Sequence, residues 1–210
     1  MAGFDTLGGD ESVELPEFEA PPGDPLRLLA EWFADAEARG IREPRVGTLA
    51  TADPAGRVSA RTLLTKEVTP EGIVFTSASS RKTHQLAANP SVALNFYWRE
   101  TMQQLFVEGR AEALPDDESD RLFAERARDA QASAAASRQG EALAGEDELA
   151  AATDAVLAGD GPIDRPKGWR GYLVRPEAIE FWQGRRSRLH RRLRYELQPD
   201  GSWQARRLQP

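Results

Sequence analysis

The 210-residue chain has no cysteine, and this one absence removes disulfide frameworks, thiolate metal sites and thiol nucleophiles together. Two histidines are too few for a histidine-built metal centre of the usual kind, so no metal is expected. No stretch approaches the roughly 18 consecutive apolar residues that span a bilayer. Near the N-terminus, Asp5, Asp10 and Glu11 stand where a secretory signal needs positive charge and then an apolar run. A cytoplasmic protein with no membrane partner is the expectation. The strings GxSxG, HExxH, GxxxxGKS/T and GxGxxG are also missing, so the common hydrolytic, zinc-peptidase and nucleotide-binding chemistries lack their usual carriers. Chemistry in this chain has to come from a bound cofactor.

Hydrophobic residues make up 40% and aromatics 8%, with five Trp and eight Phe, enough apolar surface for a sizeable core. The net charge of -7 is unevenly spread: residues 1–160 hold 15 Lys and Arg against 29 Asp and Glu, and residues 161–210 hold 12 against 5. An acidic body cannot follow a phosphate backbone over many contacts, which argues against nucleic acid as partner. The basic C-terminal part suits a local anion site.

Residues 1–23 combine acidic residues, Gly and Pro without periodicity and read as an arm before one domain over 24–210. Asp24 and Pro25 then offer an N-cap and a first helical residue, Leu29, Trp32, Phe33 and Ala36 recur at helical spacing, and Gly40 stops the helix. From Arg45 onward, short runs such as RVGTLAT, RVSARTLLTK and IVFTS alternate with the turns DPAG and TPEG, as in a β-meander. A short helix is expected over 80–88, strands at SVALNFYW and QQLFVEGRAEAL, a helix after Pro115 and a broken helical stretch over 130–158. GYLVRP, AIEFWQ, RRLRYEL and SWQARRL read as four further strands. At least seven strands without regular crossover helices predict a mainly β chain, an antiparallel barrel decorated by helices.

Three clusters carry candidate chemistry. Period-two alternation along Arg61-Thr62-Leu63-Leu64-Thr65-Lys66 puts Arg61 and Lys66 on opposite faces of one strand. Thr76-Ser77-Ala78-Ser79-Ser80-Arg81-Lys82 follows a strand and opens a helix, a setting that suits a phosphate dianion and equally describes a solvated Ser-capped turn. The stretch from Phe181 to Tyr195, with Trp182, Arg185, Arg186, Arg188, His190, Arg191, Arg192 and Arg194, fits a flat anionic aromatic ligand, an RNA or an ordinary charged hairpin.

In order and spacing, RTLLTK, SSRKTHQLAANP, FWQGRRSRLHRRLRY and the terminal WQARRLQP resemble the pyridoxamine 5′-phosphate oxidase family. The likeness runs from about Asp24 to Pro210. It implies an FMN-binding split β-barrel decorated by helices, forming a homodimer with two FMN at the subunit interface. By matched motif, Arg61, Lys66, Thr76, Ser77, Arg81, Lys82, Gln104, Gln139, Trp182 and Arg192 correspond to FMN contacts. Lys66, Arg126, Arg188 and His190 correspond to substrate contacts, with Arg188 and His190 as the catalytic pair. The Tyr and Ser that complete the family's substrate-phosphate site align with Leu122 and Ala130, and Gly140 replaces a Ser beside the cofactor.

Other strings, PEFEAPP, REPR, YWRE, ASRQGE and the final LQP, are similar to the phenazine-biosynthesis branch of the family. The resemblance therefore implies an FMN-dependent oxidase of secondary metabolism that aromatises a reduced, carboxylated nitrogen heterocycle, with dioxygen as electron acceptor. Two alternatives stand beside it: a pyridoxamine or pyridoxine 5′-phosphate oxidase, and a non-catalytic flavin-binding protein. His190 is read either as a proton-transfer group or as a positioning group. Arg188, His190 and Arg192 are expected to share one face of an extended segment.

Overall fold

The structure, a computed structural model, describes residues 8–210. The first seven residues of the expected arm lie outside the described residues. Helix α1, Pro25–Ala38, starts as its sequence dictates: the Asp24 carboxylate accepts the backbone N–H groups of Leu26 and Arg27, both at 3.0 Å. Gly40 ends it in the left-handed conformation at φ 68°. The buried face is Leu28, Leu29, Trp32, Phe33 and Ala36.

Eight strands follow: β1 Val46–Ala52, β2 Val58–Thr69, β3 Gly72–Ser77, β4 Ser91–Trp98, β5 Gln103–Ala113, β6 Arg170–Gln183, β7 Arg191–Leu197 and β8 Trp203–Leu208. All neighbours are antiparallel in the order β3-β2-β1-β4-β5-β6-β7-β8, and a further β3–β6 pairing closes the first six into a barrel. Closure removes both free edges of a six-stranded sheet, while β7 and β8 extend it from the far half of β6. Helices α2 Arg81–Ala88, α3 Asp116–Ala124, α4 Arg128–Ala136 and α5 Glu146–Leu157 lie in the connections. No helix among the described residues is long and apolar enough to cross a membrane.

Leu49, Phe75, Leu94, Phe96, Leu105, Val107, Ile179 and Phe181 fill the barrel and meet α1, where Phe33 packs edge-on against Phe96 and Trp98 at 5.0 and 5.5 Å. Each fully buried side chain of this size contributes about 1.5–3 kcal/mol. Val13, Leu15 and Phe18 of the expected arm belong to the same core, and the buried Glu17 accepts the Trp32 indole N–H.

Three local expectations are corrected. GYLVRP and AIEFWQ form one strand, because Glu177 is accommodated as an extra residue where Glu108 pairs with Ala178 and Gly109 with Pro176. The period-two alternation of β2 ends at Lys66, the residue skipped between the Thr65–Phe75 and Glu67–Val74 pairs. Residues 184–190 are a turn rather than an extended segment, with Arg188 at φ 65°, so Arg188, His190 and Arg192 do not follow one strand face.

Candidate functional site

The β3–α2 turn gathers cations. Ser80 caps α2 with a capping box, its N–H donating to Thr83 Oγ1 at 2.9 Å. Lys82 is buried, and its Nζ donates to Ser80 Oγ at 3.2 Å and Gln139 Oε1 at 3.0 Å. Burial, with the Arg61 charge second, pushes the Lys82 ammonium down to about 8. Arg61, on β2, is also lowered, by burial first and then by Arg81.

Arg61 is held by a frame that sequence reading missed. Its guanidinium donates to Leu49 O at 3.1 Å, Thr51 Oγ1 at 2.7 Å and Ser59 Oγ at 2.7 Å. The Thr51 and Ser59 hydroxyls donate in turn to Gln85 Oε1 at 2.6 and 2.8 Å. These residues come from β1, β2 and α2, so no sequence string joins them. Arg61, Arg81 and Lys82 thus stand together, and none is in an ion pair with a carboxylate among the described residues. Adjacent cations without counter-charges destabilise one another, and an incoming dianion relieves all three. Arg81 borders a cleft of about 960 Å³ that Ser80, Gln85, Gln139 and Trp169 also line.

A smaller cavity of about 280 Å³ opens beside it, lined by Thr76, Ser77, Arg126, Ser133, Ser137 and Trp169. Arg126 lies over the Trp169 ring at 5.5 Å and donates through Nη2 to Ala130 O at 3.0 Å. Its Nε is buried without a hydrogen-bond partner among the described residues, and burial lowers its pKa. Lys66 is lowered as well, by burial and then by Arg126, which places these two cations in one field. Leu122 is buried in a separate small cluster with Val74, Phe123 and Leu173. Ala130 gives Arg126 only its carbonyl.

The remaining expected residues lie at the other end of β6. Gln104, Trp182 and Arg192 stand side by side across β5, β6 and β7. The buried Glu180 grips Arg192 at two points, 2.7 and 3.0 Å. Sequence reading did not single out Glu180, although it shares a strand face with Trp182 two residues on. His190 packs against Trp182 with ring centroids 4.9 Å apart. Arg188 sits at the apex of the 184–190 turn, its N–H donating to Arg185 O at 2.9 Å.

One chain therefore does not unite the expected residues. Thr76 and Ser77 pair with Gly171 and Arg170 at the start of β6, whereas Gln104 and Arg192 pair with Trp182 near its end. Eleven residues of β6 separate these positions, roughly 35 Å of strand.

Residues 33–158 match the family described as Pyridoxamine 5′-phosphate oxidase, and residues 169–210 match the Pyridoxine 5′-phosphate oxidase C-terminal dimerisation region. A pyridoxine/pyridoxamine 5′-phosphate oxidase of Rubrobacter xylanophilus is 47% identical over 200 residues, covering 93% of this chain and 91% of the relative. A dihydrophenazinedicarboxylate synthase of Pseudomonas chlororaphis is 38% identical over 207 residues, covering 98% and 93%. Among solved structures, PhzG from Burkholderia lata 383 in complex with tetrahydrophenazine-1-carboxylic acid superposes with a TM-score of 0.93 at 36% identity, covering 96% of this chain and 100% of that one.

Proposed function

The chain belongs to the pyridoxamine 5′-phosphate oxidase family of enzymes, with relatives in its phenazine branch, and from that premise we propose that it is an FMN-dependent oxidase of a reduced, carboxylated nitrogen heterocycle such as a phenazine precursor. The observation that carries the cofactor is the group Arg61, Arg81 and Lys82 at a helix start, three cations without a carboxylate partner among the described residues. That donor set fits the phosphate of a flavin mononucleotide. A flavin held there would supply hydride acceptance, which no side chain here offers, with dioxygen as the proposed final electron acceptor. Thr76, Ser77, Lys66 and Gln139 complete the near side of the cofactor.

The far side, Gln104, Trp182 and Arg192, is contributed by a second copy. The outer face of the barrel supports this reading. Ala60, Ala50 and Ala93 form one row across β2, β1 and β4, flanked by exposed Val58, Leu64 and Tyr97. Small side chains leave a flat face on which another sheet can lie, with apolar area to bury. Under this arrangement, Arg81→Ala and Arg192→Ala subunits mixed by refolding regain flavin in about a quarter of the sites, because half the dimers are mixed and each has one intact site. Flavin titration of the mixture against each parent measures this, and no recovery in mixtures that light scattering shows to be dimeric refutes the shared site. The setting proposed for the reaction is the cytoplasm.

The substrate class rests on the small cavity. Arg126 offers charge there, with Lys66 close enough to feel it, while Leu122 is turned into the core and Ala130 lacks a hydroxyl. Two missing charge-assisted hydrogen bonds, about 1.5–3 kcal/mol each, weaken a phosphate far more than a carboxylate held by one guanidinium. A second reading, oxidation of pyridoxamine phosphate, is favoured by the retained Lys66 and Arg126 and by the 47% identical relative. Anaerobic bleaching of the bound flavin decides: a dihydrophenazine carboxylate is expected to reduce it at least about 100-fold faster than pyridoxamine phosphate, equivalent to about 2.8 kcal/mol. The reverse order establishes the vitamin reaction, and no bleaching by either establishes a silent flavin binder.

A further inference from the structure

Helix α4 and its C-cap supply two serines, Ser133 and Ser137, to the lining of the small cavity of about 280 Å³. The Ser137 N–H donates to Ser133 O at 3.0 Å, so the two residues stand one above the other on one helix face. Cβ atoms at that spacing are about 5–6 Å apart, and both hydroxyls can reach a single carboxylate placed between them. Neither hydroxyl has a hydrogen-bond partner among the described residues, although a helical hydroxyl has one at hand in the carbonyl four residues back. On α5, Thr153 takes that option and donates to Leu149 O at 2.8 Å. The rest of α4 is largely alanine, which serves a helix better than serine, so helix formation does not account for the two hydroxyls.

Arg126 lines the same cavity, and its guanidinium is held in a fixed plane. It lies over the Trp169 ring at 5.5 Å, and Trp169 is itself wedged edge-on against Phe123 at 5.1 Å. Ala130 O takes Nη2 and Nε is shut off from solvent, so Nη1 is the donor left for a ligand. No Asp or Glu lines the cavity, and Arg126 is its one cation among the described residues. One guanidinium nitrogen and two hydroxyls match the single charge and two oxygens of a carboxylate, whereas a phosphate dianion brings a second charge that no second cation of the lining offsets. Resting on the substrate reading above, we propose that Ser133 and Ser137 are specificity-determining residues, each donating its hydroxyl to one oxygen of the substrate's ring carboxylate while Arg126 Nη1 supplies the countercharge. Thr76, Ser77 and Gln139, assigned above to the cofactor, line the same cavity, so a ring whose carboxylate is held on α4 lies toward the flavin.

The test is a binding titration of the flavin-loaded protein with ligands that cannot reduce it, phenazine-1-carboxylate, unsubstituted phenazine and pyridoxal phosphate, read from the flavin absorbance. The wild-type protein is expected to bind the carboxylate at least about 100-fold more tightly than phenazine, the loss of one charge-assisted clamp. Ser133→Ala is expected to weaken the carboxylate about tenfold, and the double variant with Ser137→Ala further, with phenazine affinity unchanged in both. Alanine is the better helix former, and Ser133 does not line the cation cleft, so Ser133→Ala should keep its flavin. Undiminished carboxylate affinity in the double variant overturns the serine clamp while the substrate reading stands. Equal weakening of phenazine and its carboxylate also overturns it, because the serines then act on shape. So does a loss confined to pyridoxal phosphate, which would make them phosphate contacts. A wild-type protein with no preference for the carboxylate over phenazine overturns the clamp and the substrate reading together.

Discussion

Lys82→Met is expected to release the flavin, raising its Kd by at least about 100-fold and leaving a colourless protein that still folds. The side chain is buried and keeps its apolar stem covered, so methionine fills the same volume while losing the charge. One charge-assisted hydrogen bond to a phosphate is worth about 1.5–3 kcal/mol, and more where the ammonium is shielded from water. Because Lys82 is already pushed down to about 8 from an ordinary value of 10.5, the same residue sets a pH dependence. Between these values the unfolded chain keeps a proton that the folded, cofactor-free protein has shed, so this group makes the cofactor-free form more stable as pH rises through that window. A phosphate dianion requires the charged form. Flavin affinity is therefore flat from about pH 7 to 8 and declines above that, by up to about tenfold per pH unit. Fluorescence titrations of flavin against cofactor-free protein from pH 7 to 9.5 read both effects; tight binding by Lys82→Met, or unchanged wild-type affinity across that range, removes Lys82 from the phosphate site.

Gly72→Ala is expected to cost more than any other single methyl group in the chain, at least about 3 kcal/mol. Gly72 opens β3 at φ 146°, and a Cβ there would stand 1.9 Å from Val174 O, a backbone atom of β6. Neither side can yield cheaply, because Ile73 pairs with Val174 at the seam that closes the barrel. Opening the seam also displaces Thr76 and Ser77, which pair with β6 four and five residues further on. For a domain of this size the loss corresponds to a fall in Tm of about 6–12 °C. Thermal denaturation and flavin content should decline together, whereas Gly56→Ala, also at positive φ but with no atom near the added Cβ, should lower Tm far less. Equal effects of the two substitutions would show that backbone conformation, rather than the seam contact, governs the cost.

Much of this architecture was legible from local chemistry. The Asp24-Pro25 start of α1, the Ser80 cap of α2, the Gly-containing turns and the alternating strands are decided within a few residues of chain, by capping, φ preference and side-chain period. The continuity of β6 was not legible, because Pro176 and Glu177 read as a break and only the pairing with β5 absorbs the extra residue. The shape of the 184–190 turn was hidden for a related reason: the left-handed Arg188 has no glycine to announce it, and the turn is held by Met102, Glu11 and the His190 ring.

The candidate site divides in the same way. Arg61, Arg81, Lys82, Trp182, Arg192 and His190 were recognisable as residue types in ordered strings. What those groups do depends on partners distant in sequence: Gln85, Thr51 and Ser59 orient Arg61, Gln139 meets Lys82, and Glu180 fixes Arg192. The sequence by itself determined which elements form and which chemical groups are present, since propensity, capping and charge act over a turn or two of chain. Only the tertiary structure decided that the cation cluster and the Trp182 row lie at opposite ends of one long strand, and that the Arg185 N–H meets Nδ1 of His190, because pairing register and turn shape are set by contacts between residues apart in the chain.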